Sequence, residues 1–219
     1  MCVLMMDLTL VAPVLTVLST IDIIVHVHLD LLKFRKSGHR AFSEPSEKIP
    51  RATLAAVVIS TLLSFGIVLL IVVAWVVKSP SLIVVLMIPL IDMPTYAWVF
   101  GFVMLCAGIV LHMWARVVRR ADAASWIMEQ DHRLITSGPY GAVRHPSYLS
   151  YIICFIGMFL LIPSVATAVL LIGIPGYYSI ALVEERLLLD HFGTEYVEYM
   201  SRTGRFIPRL RRQHLSRAL

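Results

Sequence analysis

Four long apolar runs limit what this chain can fold into more than any other feature: Leu8 to Leu29, Leu54 to Val77, Tyr96 to Val118 and Val165 to Val183. The hydrocarbon core of a bilayer is about 30 Å thick, so a helix needs about 20 largely apolar residues to cross it. No water is available there to satisfy backbone N–H and C=O groups, and runs of this kind therefore cross as helices. A fifth run, Ser147 to Ile162, is shorter and opens on polar residues, but it has to cross if its neighbours are to connect. With 58% hydrophobic and only 15% charged residues, the 219-residue chain is too apolar for a water-soluble domain. The expected fold is all-α and integral to the membrane, with about five transmembrane helices and a cytoplasmic C-terminal helical tail, in a single membrane domain over 1–219.

Leu82 to Ile91 is apolar but too short to span and is interrupted by Pro89, so it is expected to be interfacial or re-entrant. No basic region precedes the first apolar run and no small-residue cleavage pattern follows it, so no cleaved signal peptide is expected. Of the 19 Lys and Arg, six lie between Asp30 and Arg51, five between Arg116 and His145 and seven after Val183, with Lys78 remaining. The positive-inside rule then predicts the N-terminus outside and the C-terminal tail in the cytoplasm. The net charge of +5 is accounted for by topology and anionic lipid contact, and no nucleic-acid partner is expected. Cys2, Cys106 and Cys154 are isolated from one another, which supports neither a zinc site nor a redox pair. Neither GxGxxG nor Walker patterns occur, so a nucleotide-type cofactor would have to be held by another device.

Two polar stretches flank the last apolar hairpin. The first, His132 to Tyr151, reads HRLITSGPYGAVRHPSYLSY; the second, Glu184 to Pro208, reads EERLLLDHFGTEYVEYMSRTGRFIP. Pro146 suits the first position of a helix, where its missing N–H costs nothing, and this makes His145 the capping residue. A helix start presents backbone N–H groups and a positive dipole end, and with Arg144 beside it this one suits a carboxylate or phosphate. Glu184 and Glu185 are expected at the end of an apolar helix, where an acid opposes the dipole and needs a cationic or donor partner. Asp190, His191, Glu195 and Glu198 fit a solvated face, opposite an apolar side of Leu188, Phe192, Tyr196 and Tyr199, with Gly193 breaking the helix.

Asp22, His26 and Asp30 follow a spacing of four and share one face of the first helix. Ionisable residues in a span are costly, which makes Asp22 and His26 candidates for contact with a substrate or a neighbouring helix. No metal is expected, because a zinc site needs more convergent ligands. His112 is expected to be a packing residue.

Together, GPYxxxRHPSY, the acidic pair and FGxEYxxYxxRTGRFIP resemble the isoprenylcysteine carboxyl methyltransferase family, within the wider group of membrane methyltransferases that includes the phospholipid methyltransferases. The resemblance implies a membrane enzyme that binds S-adenosyl-L-methionine on the cytoplasmic side without a soluble Rossmann domain, and a lipophilic or lipidated small-molecule acceptor entering from the surrounding membrane lipids. It divides the chain into 1–118, three helices and a connector, and 119–219, a cofactor-binding loop, helical hairpin and tail. The implied cofactor contacts are His132, Arg133, Leu134, Ile135, Tyr140, Ala142, Val143, Arg144, His145 and Glu184, with His145 and Arg144 as catalytic candidates. Glu185, Arg202, Arg205, Asp22 and His26 are candidates for the substrate side. Where the prenylcysteine enzymes carry an arginine that recognises the substrate carboxylate, this chain has Ile180, which gives no charge-assisted contact. The acceptor is therefore open among a prenylcysteine-like carboxylate, a lipid amine and a thiol. Two other classes compete: an NADPH-dependent sterol-type membrane reductase and a non-catalytic membrane partner of the same fold. The short chain and the acidic pair before FGTEY favour the methyl donor.

Overall fold

Residues 2–37, 49–119 and 133–209 are described by the structure, a computed structural model. In order they form α1 (Cys2–Ser37), α2 (Arg51–Val76), a 3-10 helix (Pro80–Met87), α3 (Thr95–Arg119), a 3-10 turn (Gly138–Gly141), α4 (Pro146–Leu161), α5 (Val165–Leu170), α6 (Gly173–Phe192) and α7 (Thr194–Arg202). Extended pairing among the described residues is limited to one isolated parallel bridge, Val143 to Gly204. Four stretches are long and apolar enough to cross a membrane: Thr9–Leu32, Arg51–Val76, Thr95–Arg119 and Val165–Phe192. Large apolar side chains such as Val17, Ile24, Leu62, Leu69, Phe100 and Val103 are exposed around these helices, as lipid-facing surfaces require. The chain is an all-helical integral membrane protein.

The expected fifth crossing is α4, whose 16 residues rise about 24 Å, short of a full hydrocarbon core. It lies antiparallel to α3 in very close contact. A Cβ on Gly101 would stand 2.8 Å from the Gly157 carbonyl oxygen, one on Gly157 would stand 2.8 Å from that of Gly101, and one on Gly108 would stand 3.0 Å from that of Ser150. Small residues let the backbones approach where lipid offers no hydrophobic drive for association. The segment expected to be interfacial or re-entrant becomes the short 3-10 helix with Ile83 buried, and Leu90 N–H donates to the Pro163 carbonyl at 2.7 Å.

Two expectations need correction. The last apolar run is not one helix, because α5, opened by a Ser164–Thr167 capping box, is separated from α6 by a turn before Gly173. Nor does that run end at Val183. The helix-forming sequence EERLLLDHF continues α6 to Phe192, and Gly193, at φ +53°, terminates it. Glu184 and Glu185 therefore sit inside a helix, and the dipole argument does not apply to them.

α1 and α3 are joined by a polar ladder. Arg116 forms an ion pair with Asp30, and one turn along, His112 and His26 face Asp22. This pairing places the C-terminal ends of α1 and α3 at the same pole. The start of α4 lies there too, since the Gly138 turn lies against Val118 and Trp114 near the end of α3. Gly173 and Gly176 of α6 meet Ser60 and Val57 of α2 in antiparallel order, which brings the end of α6 to that pole as well.

Candidate cofactor cleft at the helix pole

Around Pro146 the local structure follows the sequence reading: Pro146 opens α4 and His145 is its N-cap. The two residues before Pro146 are tied to the C-terminal segment. Arg144 N–H donates to the Gly204 carbonyl at 2.8 Å and His145 N–H to the Arg205 carbonyl at 3.2 Å. Arg144 Nη1 also donates to the Thr203 carbonyl at 2.6 Å, and the Tyr199 hydroxyl donates to the Tyr140 carbonyl at 2.7 Å. The RTGRF segment is thus laced onto the GPYGAVRHP loop, which explains why the two motifs occur together. Gly204 is obligatory in this arrangement, since a Cβ there would collide with the Ile207 carbonyl oxygen.

Glu185 is the electrostatic centre. Its Oε1 accepts from Arg144 Nε at 2.8 Å and Arg205 Nε at 3.0 Å, its Oε2 accepts from Arg205 Nη2 at 2.6 Å, and His145 Nε2 lies 3.3 Å from Oε1. Glu185 is buried, so these partners offset the cost of taking its charge out of water. The other ring nitrogen of His145, Nδ1, is 3.3 Å from Glu184 Oε2. Burial lowers the pKa of His145, but the two carboxylates outweigh it and leave the pKa raised, so the imidazolium is favoured. Glu185 raises the pKa of Arg205, and Arg205 also lies over the Tyr178 ring at 5.3 Å. Tyr148 stacks on His145 with ring centroids 5.5 Å apart.

One cleft gathers Arg133, Leu134, Ile135, Tyr140, Arg144, His145 and Glu184, seven of the residues expected around a cofactor. Of the others, Val143 is buried in the bridge to Gly204, Ala142 is exposed outside the lining, and His132 lies outside the described residues. Among the substrate-side candidates, Glu185 and Arg205 are engaged with each other and Arg202 is exposed on α7. Asp22 and His26 belong to the α1–α3 ladder, away from this lining. Ile180 is buried in the apolar core.

Sequence reasoning missed Arg119, Ser147, Tyr148, Leu188, Tyr196 and Tyr199 as lining residues. For Leu188, Tyr196 and Tyr199 the signal was present as the apolar face of the tail, which lines the cleft as well as docking. Two lining groups, Arg119 Nε and the Tyr196 hydroxyl, are buried without a hydrogen-bond partner among the described residues. Burial pushes the Tyr196 and Tyr199 hydroxyls well above the ordinary tyrosine pKa, so both stay neutral.

A helical membrane protein with a charged, aromatic-lined cleft at one pole is the class these features define. Residues 96–195 match the family model described as phospholipid methyltransferase. The chain is 38% identical over 82 residues to a protein-S-isoprenylcysteine O-methyltransferase of Saccharomyces cerevisiae, covering 36% of this chain and 34% of that one. It is 37% identical over 83 residues to the cobalt-zinc-cadmium resistance protein CzcN of Cupriavidus metallidurans, covering 37% and 38%. Each match therefore spans little more than a third of the relative's length. A solved eukaryotic intramembrane Ras methyltransferase, isoprenylcysteine carboxyl methyltransferase, aligns at 21% identity and a TM-score of 0.44 over 72% of this chain and 50% of that one. The resemblance to the membrane methyltransferases drawn from the two motifs is borne out, and the family model's match, 96–195, takes in the cleft's lining residues from Arg119 to Leu188.

Proposed function

We propose that this chain is an S-adenosyl-L-methionine-dependent methyltransferase acting on a membrane-embedded or lipidated acceptor, of which a prenylcysteine-like carboxylate is one example. The carrying observation is that Tyr140, His145 and Glu184, from two motifs separated by a helical hairpin, line a single cleft. The donor set fits a zwitterionic nucleoside. Arg119 and Arg133 suit its carboxylate, the Glu184 carboxylate suits its ammonium or ribose hydroxyls, and Leu134, Ile135, Leu188 and Tyr148 offer an apolar and aromatic lining for the purine. The buried Arg119 Nε and Tyr196 hydroxyl, unpartnered among the described residues, are groups that such a ligand would satisfy.

Bound there, the donor supplies a methyl group carried on a sulfonium. The chain's own residues contribute positioning and exclusion of water. Holding two reactants in line is worth about 7–11 kcal/mol in well-oriented cases. Tyr196, Tyr199 and Leu188 line the cleft, and the Arg144–Glu185–Arg205 cluster fixes the wall on which His145 stands. Because both nitrogens of His145 face carboxylates, its role is to position Glu184 rather than to act as a general base. The positive-inside bias supports a cleft open to the cytoplasm.

The test is binding of tritiated S-adenosyl-L-methionine to detergent-purified protein, with NADPH as competitor, followed by methylation of lipid extracts and mass spectrometry of the labelled product. Saturable binding resistant to NADPH and a labelled lipophilic product are expected. Displacement by NADPH, or no binding of either, overturns the reading.

A further inference from the structure

The ladder between α1 and α3 contains a second polar site that the cleft does not use. Asp22, His26 and His112 each bring one ligand-type atom within 4.8 Å of the other two. His26 Nδ1 is 3.3 Å and His112 Nδ1 is 3.9 Å from Asp22 Oδ1, and the two imidazole rings are 4.8 Å apart at their centroids. Asp22 Oδ1 is buried and makes no hydrogen bond among the described residues. A carboxylate oxygen with two histidines near it but no hydrogen bond is expensive to hold inside a span unless a cation meets it. The nearer histidine is not aligned to supply a hydrogen bond, because His26 Nδ1–H donates to the Asp22 backbone carbonyl at 2.9 Å.

Binding a metal through Nδ1, the His26 nitrogen that faces Asp22, requires His26 to give up that bond and take the tautomer protonated on Nε2. Two imidazoles and a carboxylate form a donor set suited to zinc and its late first-row neighbours rather than to magnesium or calcium. Ligand atoms around a tetrahedral zinc stand about 3.3 Å apart, so the rings would draw in slightly on binding. Asp22 and His112 also line a mostly apolar cavity of about 280 Å³ between α1, α2, α3 and α4, bounded by Ser64, Leu105 and Tyr151. Three protein ligands leave a fourth position, as in sites that keep one place open for water or a ligand.

We propose that Asp22, His26 and His112 form an intramembrane binding site for one divalent transition-metal ion of the zinc type, with an open position toward the cavity. The site bridges α1 and α3 and does not depend on the methyltransferase reading.

The full chain, purified in detergent and stripped with EDTA, is titrated with Co²⁺ and followed by its visible d–d absorption, with displacement by Zn²⁺ and metal analysis after desalting. One equivalent is expected, with an intense band typical of low coordination number that Zn²⁺ abolishes. Asp22→Asn and His112→Gln should each lose the band, and His28→Gln, an exposed histidine on the same helix, should keep it. Wild-type protein that retains no stoichiometric metal overturns the proposal, whatever the variants do. So does a folded His112→Gln protein, judged by its circular dichroism, that binds Co²⁺ as the wild type does.

Discussion

Glu185 holds together parts of the chain that are distant in sequence, because three cationic or ionisable groups converge on its two oxygens. Removing one member of a buried ion cluster strands the rest, and Glu185→Ala is expected to destabilise the protein by about 3 kcal/mol. Thermal unfolding in detergent measures this, and Arg202→Ala, on exposed α7 surface, should be neutral by comparison. His145 makes a pH-dependent contribution. Its folded pKa is raised above the ordinary value of about 6.5, so the stability it adds is fully present below that pH and is lost as pH rises through the folded pKa. The Tm advantage of wild type over His145→Gln should therefore shrink as pH is raised from about 6 to 9. An advantage that grows with pH would contradict the ion-pair geometry.

At the scale of elements, the closest contact is α3 against α4, where each glycine's missing side chain is the other backbone's space. Gly157→Leu has no room and is expected to separate the two helices, lowering Tm and with it methyl-donor affinity, since α4 carries Ser147 and Tyr148 of the cleft lining. Gly66, where an added Cβ would meet nothing within 4 Å, should accept alanine with little change. The existence of these helices was legible in the sequence because hydropathy and bilayer thickness set their number and length. Their internal detail was less so. Helix α6 runs through two glutamates that the hydrophobic pattern marks as an exit, because arginines from the loop and tail neutralise one of them there. Likewise, the spacing of Asp22, His26 and Asp30 revealed a polar face on α1, but only the fold supplied its partners, His112 and Arg116.

For the whole molecule, the cleft is composite: its lining comes from the end of α3, the loop before α4, the start of α4, α6 and α7. A ligand that binds only this assembled form stabilises the protein by mass action, about 2.7 kcal/mol at a hundred times Kd. S-adenosyl-L-methionine should therefore raise Tm, and a chain truncated after Gly193 should show no such shift while its apolar helices still partition into membranes. The site was half legible from sequence, since the motif residues Tyr140, His145 and Glu184 do meet, whereas Arg119 and Tyr148 carried no motif to mark them. Because the bridge from Val143 to Gly204 is made by a segment translated after all of the helices it serves, the ribosome delivers the latch behind them. Insertion of those helices into the bilayer can thus precede assembly of the cleft, which needs Gly204 and its neighbours.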